Sequence, residues 1–234
     1  MNISLVIPAY NAEATINETL DSVAAQSHPV DEIVIVDDAS EDATVAHARA
    51  HKLQPRVIEA RHAGAPATLN TGIKAASGEL ICFLDADDLW TANKIELQVG
   101  AIKQNPSLAG VFGMVECFVC PTVSSERAAK LDFLRGPQKA RLMPSYMGKT
   151  SLFTSIGLLD ESLSTGYFID WFDRAQQSQN FDLIPQLTLR RRIRPGTLSS
   201  RPSKAGSKLA KDFLLIARRA IQRKRQAGME PSNA

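Results

Sequence analysis

Short apolar runs alternate with helical patterns along the first hundred residues. Runs at residues 3–7, 32–36, 56–60 and 80–84 are rich in Val, Ile and Leu, which is typical of buried strands. Apolar residues at helical spacing predict helices over 11–26, 40–53, 65–76 and 91–104, with Asn11, Ser40 and Thr91 as N-caps of three of them. This alternation predicts right-handed crossovers and an α/β domain with a mostly parallel central sheet.

Polar residues follow three of the predicted strands directly. The first strand ends at Pro8 and leads into Ala9-Tyr10-Asn11, the second leads into Asp37-Asp38, and the fourth into Asp85-Ala86-Asp87-Asp88. Ligands of parallel α/β sheets bind beyond the carboxyl ends of the strands. We therefore expect these residues to line a binding site at one edge of the sheet.

The acidic segment after the fourth strand is typical of a metal site. Asp85 and Asp87 are two residues apart, so both point the same way in extended chain. Two close carboxylates repel each other unless a cation is present, and Mg²⁺ or Mn²⁺ takes such oxygens together with substrate phosphates. The alternative is a solvated acidic turn that caps the following helix.

Composition restricts the protein class. The 234 residues are 44% hydrophobic and 22% charged, which fits one folded domain with at most a short appendage. No apolar run is long enough to span a membrane, and the first residues lack the features of a signal peptide. Three cysteines are too few for a disulfide scaffold and predict a reducing, cytoplasmic setting.

The charge is divided between two parts of the chain. Residues 1–187 hold 14 Lys and Arg against 23 Asp and Glu, for a net charge of −9, whereas residues 188–234 hold 13 against 2, for +11. Residues 208–225 predict a basic amphipathic helix, with an apolar stripe of Leu209, Phe213, Ile216, Ala217 and Ala220. Such a helix can lie on an anionic membrane surface or pack on its own domain or on a second subunit.

Five motifs in order carry a family resemblance. They are Pro8-Ala9-Tyr10-Asn11-x-Glu13, Val36-Asp37-Asp38-Ala39-Ser40, Asn70-x-Gly72-Ile73-x-x-Ala76-x-Gly78, Phe83-Leu84-Asp85-Ala86-Asp87-Asp88, and Ile156-Gly157-Leu158-Leu159-Asp160-Glu161 followed by Asp170-Trp171. Over residues 2–199 the chain resembles the family-2 glycosyltransferases of GT-A fold. The resemblance implies a Rossmann-like nucleotide-diphospho-sugar transferase domain over 1–199, with a donor half at 1–105, an acceptor half at 106–199 and a basic helical tail at 200–234.

The resemblance also implies an activity and its residues. The activity is metal-dependent, inverting transfer of a sugar from a nucleoside diphosphate, by expectation UDP, to a saccharide or glycoconjugate hydroxyl. Asp170 would be the general base, and Asp87 would bind Mn²⁺ or Mg²⁺. Asp38 would accept from the base of the nucleotide, and Asp85 would face its ribose or phosphates. The remaining donor contacts would be Pro8, Ala9, Tyr10, Glu13, Asp37, Asn70 and Ala86.

Three positions depart from the family pattern. Leu69 stands where many relatives have an Arg, and Ile169 stands where a Glu usually precedes the base. Arg194 stands where relatives often have a His. A guanidinium cannot replace imidazole as a metal ligand, but it can bind a phosphate through two hydrogen bonds, so we assign Arg194 to the diphosphate. Asp173 is the reserve candidate for the base, since it lies on the same helical face as Asp170.

Other readings receive less support from the sequence. Cys117-x-x-Cys120 lacks a second Cys pair or a nearby His and fits one face of a strand. No phosphate-binding loop with a Gly-Lys-Ser/Thr ending and no dinucleotide-binding Gly-x-Gly-x-x-Gly occurs.

Residues 121–148 resemble an acceptor loop, a lid or an ordinary surface excursion. The rival functions are a catalytically impaired binding protein of the same fold and a nucleotidyltransferase, and a homodimer is a further possibility.

Overall fold

One eight-stranded sheet organises the chain in the computed structural model, which describes residues 1–120, 123, 136–194 and 207–226. The strands are β1 (Ile3–Ala9), β2 (Glu32–Asp37), β3 (Arg56–Glu59), β4 (Leu80–Phe83), β5 (Leu89–Trp90), β6 (Leu108–Val119), β7 (Tyr146–Lys149) and β8 (Asn180–Ile193). The helices are α1 (Ile16–Ala24), α2 (Thr44–Ala50), α3 (Ala65–Ala75), α4 (Lys94–Gln104), α5 (Leu152–Ser155), α6 (Tyr167–Ala175) and α7 (Lys208–Gln226).

The sheet has the order β3-β2-β1-β4-β7-β6-β8-β5 and is mostly parallel. β3, β2, β1 and β4 are parallel to one another, and β6 is parallel to β8. The antiparallel pairs are β4 with β7, β7 with β6, and β8 with the two-residue edge strand β5. This arrangement confirms the α/β class expected from the apolar runs, and it places the carboxyl ends of β2, β1 and β4 side by side.

Two hydrophobic clusters cover the two faces of the sheet. One joins alternate residues of β1, such as Ile3 and Leu5, to buried residues of α1 and α4. The other joins Val6 to buried residues of α3, α5 and α6, with an aromatic group around Tyr146. The central strands β1, β2 and β4 therefore bury side chains on both faces, which explains why the sequence shows continuous apolar runs there rather than strict alternation.

The first strand continues through Pro8, two residues further than predicted. Val6 accepts a hydrogen bond from Leu84 on the β4 side, and Ala9 accepts one from Asp38 on the β2 side. Pro8 therefore faces the β4 side, where pairing ends at Val6 with Phe83. A proline in a central strand normally costs a ladder hydrogen bond, but this position has no partner to lose.

Three helices begin later than predicted. α1, α2 and α4 start at Ile16, Thr44 and Lys94 rather than at Asn11, Ser40 and Thr91. The predicted caps bond to other elements instead. The Asn11 side chain accepts from the Glu41 amide, the Ser40 hydroxyl donates to Asp37, and the Thr91 hydroxyl donates to the Leu187 carbonyl. These three predictions were wrong because residues outside the helix, including Asp37 only three residues before Ser40, compete with its first turn for the side chain.

The C-terminal helix is present as α7. None of the helices in the described ranges is long and apolar enough to cross a bilayer. Cys117 and Cys120 are free thiols, Cys117 lying in β6 as the strand prediction required. Half of the predicted lid at 121–148, residues 121–122 and 124–135, lies outside the described residues. The described half runs into β7, which pairs with β4 and β6, so the last three residues belong to the central sheet rather than to a loop.

Candidate active site

The carboxyl ends of β2 and β1 form one side of the candidate site. Asp38 is buried, and its side chain accepts hydrogen bonds from the backbone amides of Ala63 (2.7 Å) and Gly64 (3.1 Å). His62 Nδ1 lies 3.1 Å from Asp38 Oδ2, and the His62 ring stacks at a tilt on Tyr10 with 4.9 Å between centroids. Asp38 thus connects the end of β2 to the segment that enters α3.

Asp37 and Glu13 stabilise loops next to this side. The buried Asp37 carboxylate accepts from the Ser40 amide at 2.9 Å, and the Glu13 carboxylate accepts from the Ala43 amide at 3.1 Å. Pro8 and Ala9 lie in β1, and the Tyr10 side chain is exposed directly after it. The predicted base-contacting residues are therefore brought together, and His62 joins them without any signal in the sequence.

The acidic segment after β4 forms the other side. The Ala86 carbonyl accepts from the hydroxyls of Thr15 and Thr19 at 2.8 and 3.0 Å, which fixes the turn against α1. Burial, followed by the charge of Asp87, raises the pKa of Asp85 to about 6, whereas the charge of Arg191 opposes this rise. Burial and the same two carboxylates also raise the pKa of Asp88. The cluster therefore lacks positive charge for its number of carboxylates.

Arginines from the end of β8 face these carboxylates. Arg194 Nε donates to Asp87 Oδ2 at 2.8 Å, and Arg192 donates its amide to Asp88 Oδ1 at 2.8 Å and its Nε to the Asp87 carbonyl at 2.7 Å. Arg192 also pairs with Glu18 of α1. The sequence identified Arg194 but missed Arg191 and Arg192, since their approach depends on β8 crossing to the acidic edge.

The acidic segment offers oxygen ligands for a divalent cation. No cluster of three or more His, Cys, Asp or Glu side chains with metal-binding geometry occurs within the described part of the chain. Mg²⁺ and Mn²⁺, however, need only one or two carboxylates when phosphates complete the shell. Asp88 Oδ2 is buried without a hydrogen-bond partner among the described residues, and the Asp87 carboxylate accepts from Arg194. These residues fit a cation, provided that Arg194 releases Asp87.

Asp170, the predicted general base, lies between α6 and α7. Its buried carboxylate contacts Arg174 Nε at 3.2 Å, Arg223 at 3.3 Å and Arg219 at 3.8 Å. The reserve candidate Asp173 pairs with Arg223 at 2.7 Å. A base must present a free oxygen to the acceptor hydroxyl. The geometry therefore gives Asp170 and Asp173 ion-pairing roles and does not favour the predicted role of either one as base.

Tyr167, the first residue of α6, interacts electrostatically with the acidic segment. Burial raises the pKa of its hydroxyl well above the ordinary value, and the charge of Asp85 adds to this rise. The sequence missed Tyr167 because a single tyrosine at a helix start carries no motif. Asp170 is only three residues further on, but it contacts α6 and α7 instead.

Asn70 and Leu69 are both buried and contact other parts of the fold. The Asn70 side chain donates to the Leu159 carbonyl (3.0 Å) and to Glu161 (2.8 Å), and it accepts from the Leu159 amide (3.0 Å). Asn70 thus fixes α3 to the segment before α6. Leu69 is buried in the second hydrophobic cluster, so this position holds an apolar contact where relatives often have a cation.

The family assignment follows from the sequence match over the part of the chain that builds this edge. The family model described as "Glycosyl transferase family 2" matches residues 4–154, which include β1 to β4, the acidic segment and β7. The chain belongs to glycosyl transferase family 2. The resemblance seen in the motifs is thereby confirmed, and the acidic edge is the candidate active site of a family-2 glycosyltransferase.

Individual relatives of this family-2 chain come from several bacteria. It is 36% identical over 120 residues to the E. coli "UDP-Glc:alpha-D-GlcNAc-diphosphoundecaprenol beta-1,3-glucosyltransferase WfgD", covering 49% of this chain and 46% of the relative. It is 39% identical over 111 residues to the Erwinia amylovora "Amylovoran biosynthesis glycosyltransferase AmsB", covering 44% and 36%. The alignments thus span less than half of the length of these curated relatives.

Among solved structures, S. aureus TarS 1-349 in complex with UDP-GlcNAc matches with a TM-score of 0.73 and 22% identity. The match covers 93% of this family-2 chain and 66% of that chain. At this identity the similarity shows the fold alone. It confirms the GT-A architecture expected from the resemblance, including the mostly parallel sheet.

Proposed function

We propose that this chain is an inverting glycosyltransferase that moves a sugar from a UDP-sugar to a hydroxyl group of a glycan or glycoconjugate. The observation that carries the proposal is the approach of Arg194 to Asp87, next to Asp85 and beside the ends of β1 and β2. The name of WfgD gives UDP-Glc as donor and a diphosphoundecaprenol-linked acceptor, and TarS was solved with UDP-GlcNAc. Both names support a UDP-sugar as the donor.

The nucleotide base would lie at the end of β1. Tyr10 is exposed and rests against His62, so the two rings offer an aromatic surface on which a base can stack. The Asp38 carboxylate beside them retains acceptor capacity for a uracil N–H, because two backbone amides and His62 do not use all of its lone pairs. We assign these three residues to the uridine.

The diphosphate would lie between Asp87 and Arg194. We propose Mn²⁺ or Mg²⁺ as the cofactor, held by Asp87 and the donor phosphates, with Asp85 beside them. When bound, such an ion stabilises the negative charge that develops on the departing UDP. Arg194 would exchange its contact with Asp87 for a bidentate contact with a phosphate, which retains its charge compensation.

Inversion requires a single in-line displacement at the anomeric carbon. The acceptor oxygen forms a bond to this carbon, the bond from the carbon to the UDP oxygen breaks, and the acceptor proton passes to a base. Asp170 is the base that the sequence proposes, although guanidinium groups surround its carboxylate. A catalytically impaired binding protein of the same fold is therefore the second candidate, and Leu69 and Ile169 also favour it.

Release of UDP from a panel of UDP-sugars, with and without Mn²⁺, tests the proposal. We expect metal-dependent release that is lost in Asp87→Asn and retained in the control Asp182→Asn, whose exposed side chain bonds only the next amide. Binding of every donor without release would support the impaired binding protein, and formation of pyrophosphate would support a nucleotidyltransferase. A product that retains the anomeric configuration would contradict the single displacement.

A further inference from the structure

α7 packs on the domain through one defined face. The Asp212 carboxylate accepts from the Ser164 amide and hydroxyl at 2.8 and 2.6 Å, and the Ile216 side chain is buried. Arg219 pairs with Asp160 at 2.7 Å, and Arg223 pairs with Asp173. These residues recur every three or four positions, so they fix which side of α7 faces the domain.

The opposite side of α7 carries apolar residues. Phe213, Leu214 and Ile221 are 44%, 59% and 53% exposed. Phe213, Ala217 and Ile221 are spaced by four residues, and Leu214 lies seven residues before Ile221, so these four residues form one outward stripe. We call them the apolar stripe. The sequence expected such a stripe to include Ile216, but the structure buries Ile216. The Phe213 ring approaches the domain near Gly166, whereas Leu214, Ala217 and Ile221 stay exposed.

A line of basic residues runs beside the apolar stripe. Lys211, Arg218 and Arg225 are exposed and recur every seven residues, which places them on one line along the helix. Arg218 and Arg225 follow Leu214 and Ile221 by four residues, so the basic line borders the stripe directly. Within the described ranges, none of the three side chains forms an ion pair. This charge is available to a partner outside the domain.

We propose that α7 binds an anionic lipid bilayer, with the apolar stripe inserted at the headgroup boundary and the basic line at the headgroups. A helix with a large apolar side and a basic border matches the interfacial helices that lie in the plane of a membrane. Each basic residue near an anionic surface adds to the affinity. A symmetric contact with a second copy would bring the two basic lines together, and their charges would repel.

The geometry also relates this surface to the candidate active site. A Cβ atom on Gly166 would lie 2.6 Å from Ile216 Cδ1 and 3.6 Å from the Phe213 ring, so α7 covers the residue before Tyr167. Tyr167 in turn lies within range of the Asp85 charge. If the proposed transfer is correct, the bilayer lies near the acceptor side, which fits a lipid-linked acceptor. The docking itself does not depend on that function.

Co-sedimentation of the full chain with vesicles tests the docking. We expect binding to vesicles of phosphatidylcholine with phosphatidylglycerol, and weak binding to phosphatidylcholine alone. Leu214→Gln with Ile221→Gln should weaken the binding at least about tenfold, because two large apolar side chains lose their burial. Lys211→Gln, Arg218→Gln and Arg225→Gln together should weaken it about 100-fold, and only on the anionic vesicles.

Leu215→Gln is the matched control. Leu215 is 39% exposed on the same helix, but it lies about 100° around the axis from Leu214, beyond the basic line. The Leu215→Gln variant should bind the vesicles as the unmodified chain does. Equal loss in Leu215→Gln, or no preference for anionic vesicles, would overturn the proposal. So would a dimer in sedimentation velocity that the stripe variants dissociate, because a second copy would then cover the stripe. Circular dichroism confirms that each variant is folded.

Discussion

At the scale of single residues, the candidate site is a set of carboxylates compensated by arginines. Asp87 has Arg194 as its side-chain partner, whereas Asp88 accepts only a backbone amide from β8. Burial, followed by repulsion from the neighbouring carboxylates, raises the pKa of Asp85 and Asp88. The role of each arginine can therefore be measured through binding of the donor, independently of the acceptor.

Arg194→Gln should weaken the binding of UDP by about 10- to 100-fold in titration calorimetry, because a charge-assisted contact to the diphosphate is lost. Arg194→Lys should restore part of the affinity, as it keeps the charge but not the bidentate geometry. Arg190→Gln is the control, since Arg190 lies in β8, which ends directly before Arg194, and pairs with Glu116 at 3.6 Å. Unchanged affinity in Arg194→Gln would remove this residue from the diphosphate site.

Asp170→Asn separates the structural role of this residue from the catalytic one. We expect the free energy of unfolding in urea to fall by about 3 kcal/mol, since a buried ion-pair network loses its central charge. Transfer by the folded variant should fall less than about tenfold. Arg223→Gln should destabilise similarly. A loss of transfer of about 100-fold or more in Asp170→Asn alone would instead support its role as general base.

At the scale of elements, the sequence predicted the strands better than the helix starts. β1, β2 and β4 are apolar on both faces, and this signal is local. The helix starts depend on which partner a short polar side chain chooses, as the bonds of Asn11, Ser40 and Thr91 show. The partner depends on the tertiary structure, so a residue with the sequence features of an N-cap can bond to another element instead.

The candidate site also combines residues that the sequence predicted with residues that only the structure reveals. The acidic residues after β4 could be predicted because they follow their strand directly along the chain. Arg192 and Tyr167 could not, because they arrive from β8 and α6 through tertiary packing. The arginines that surround Asp170 come partly from α7, whose packing on its own domain was one of the alternatives left open by the sequence, without a partner residue. The local sequence pattern therefore predicted the carboxylates on one side of the site. The residues opposite them could be found only from the three-dimensional fold.

Gly72 sets the distance between α3 and the sheet. A Cβ atom at this position would lie 2.3 Å from Val6 Cγ1 and 3.3 Å from Val36 Cγ2. Gly72→Ala should lower the free energy of unfolding by about 1–3 kcal/mol in spite of the better helix propensity of Ala. The double variant Gly72→Ala/Val6→Ala should be destabilised by less than the sum of the effects of the two single variants. Additive effects in the urea measurements would contradict this account of the contact.

At the scale of the whole molecule, the two oppositely charged regions of the chain fold onto each other. Basic residues after Leu187 pair with acidic residues before it: Arg190 with Glu116, Arg192 with Glu18, Arg194 with Asp87, Arg219 with Asp160, and Arg223 with Asp170 and Asp173. Part of the net charge of +11 in residues 188–234 is thus neutralised within the protein. Among the described residues, Lys211, Arg218 and Arg225 on the outer side of α7 stay exposed.

Stability should depend on pH through one buried lysine. Lys94 is fully buried, donates to Gln98 and lies 4.5 Å from the Trp90 ring centroid, and burial lowers its pKa to about 8. Between this value and the ordinary value of 10.5, the unfolded chain binds a proton that the folded chain does not. The free energy of unfolding should therefore rise with pH in this window, by roughly 3 kcal/mol in total.

Lys94→Met isolates this contribution. Urea unfolding between pH 7.5 and 10 should show a flatter pH dependence in the variant than in the unmodified chain. The difference between the two proteins is the informative quantity, because burial raises the pKa of Cys82 to about 12 and this thiol lowers stability at alkaline pH in both. Parallel curves for the two proteins would show that Lys94 is charged in the folded state.

The ion pairs of α7 have a thermodynamic consequence. Arg223 contacts both Asp170 and Asp173 in α6, and α6 begins at Tyr167, whose pKa is raised by burial and by the charge of Asp85. Under the two proposals above, lipid binding at α7 and donor binding at the acidic edge would therefore act on the same short helix. Coupling between two sites is reciprocal. Any factor by which vesicles change the affinity for UDP must equal the factor by which UDP changes the affinity for vesicles, so either measurement can check the other.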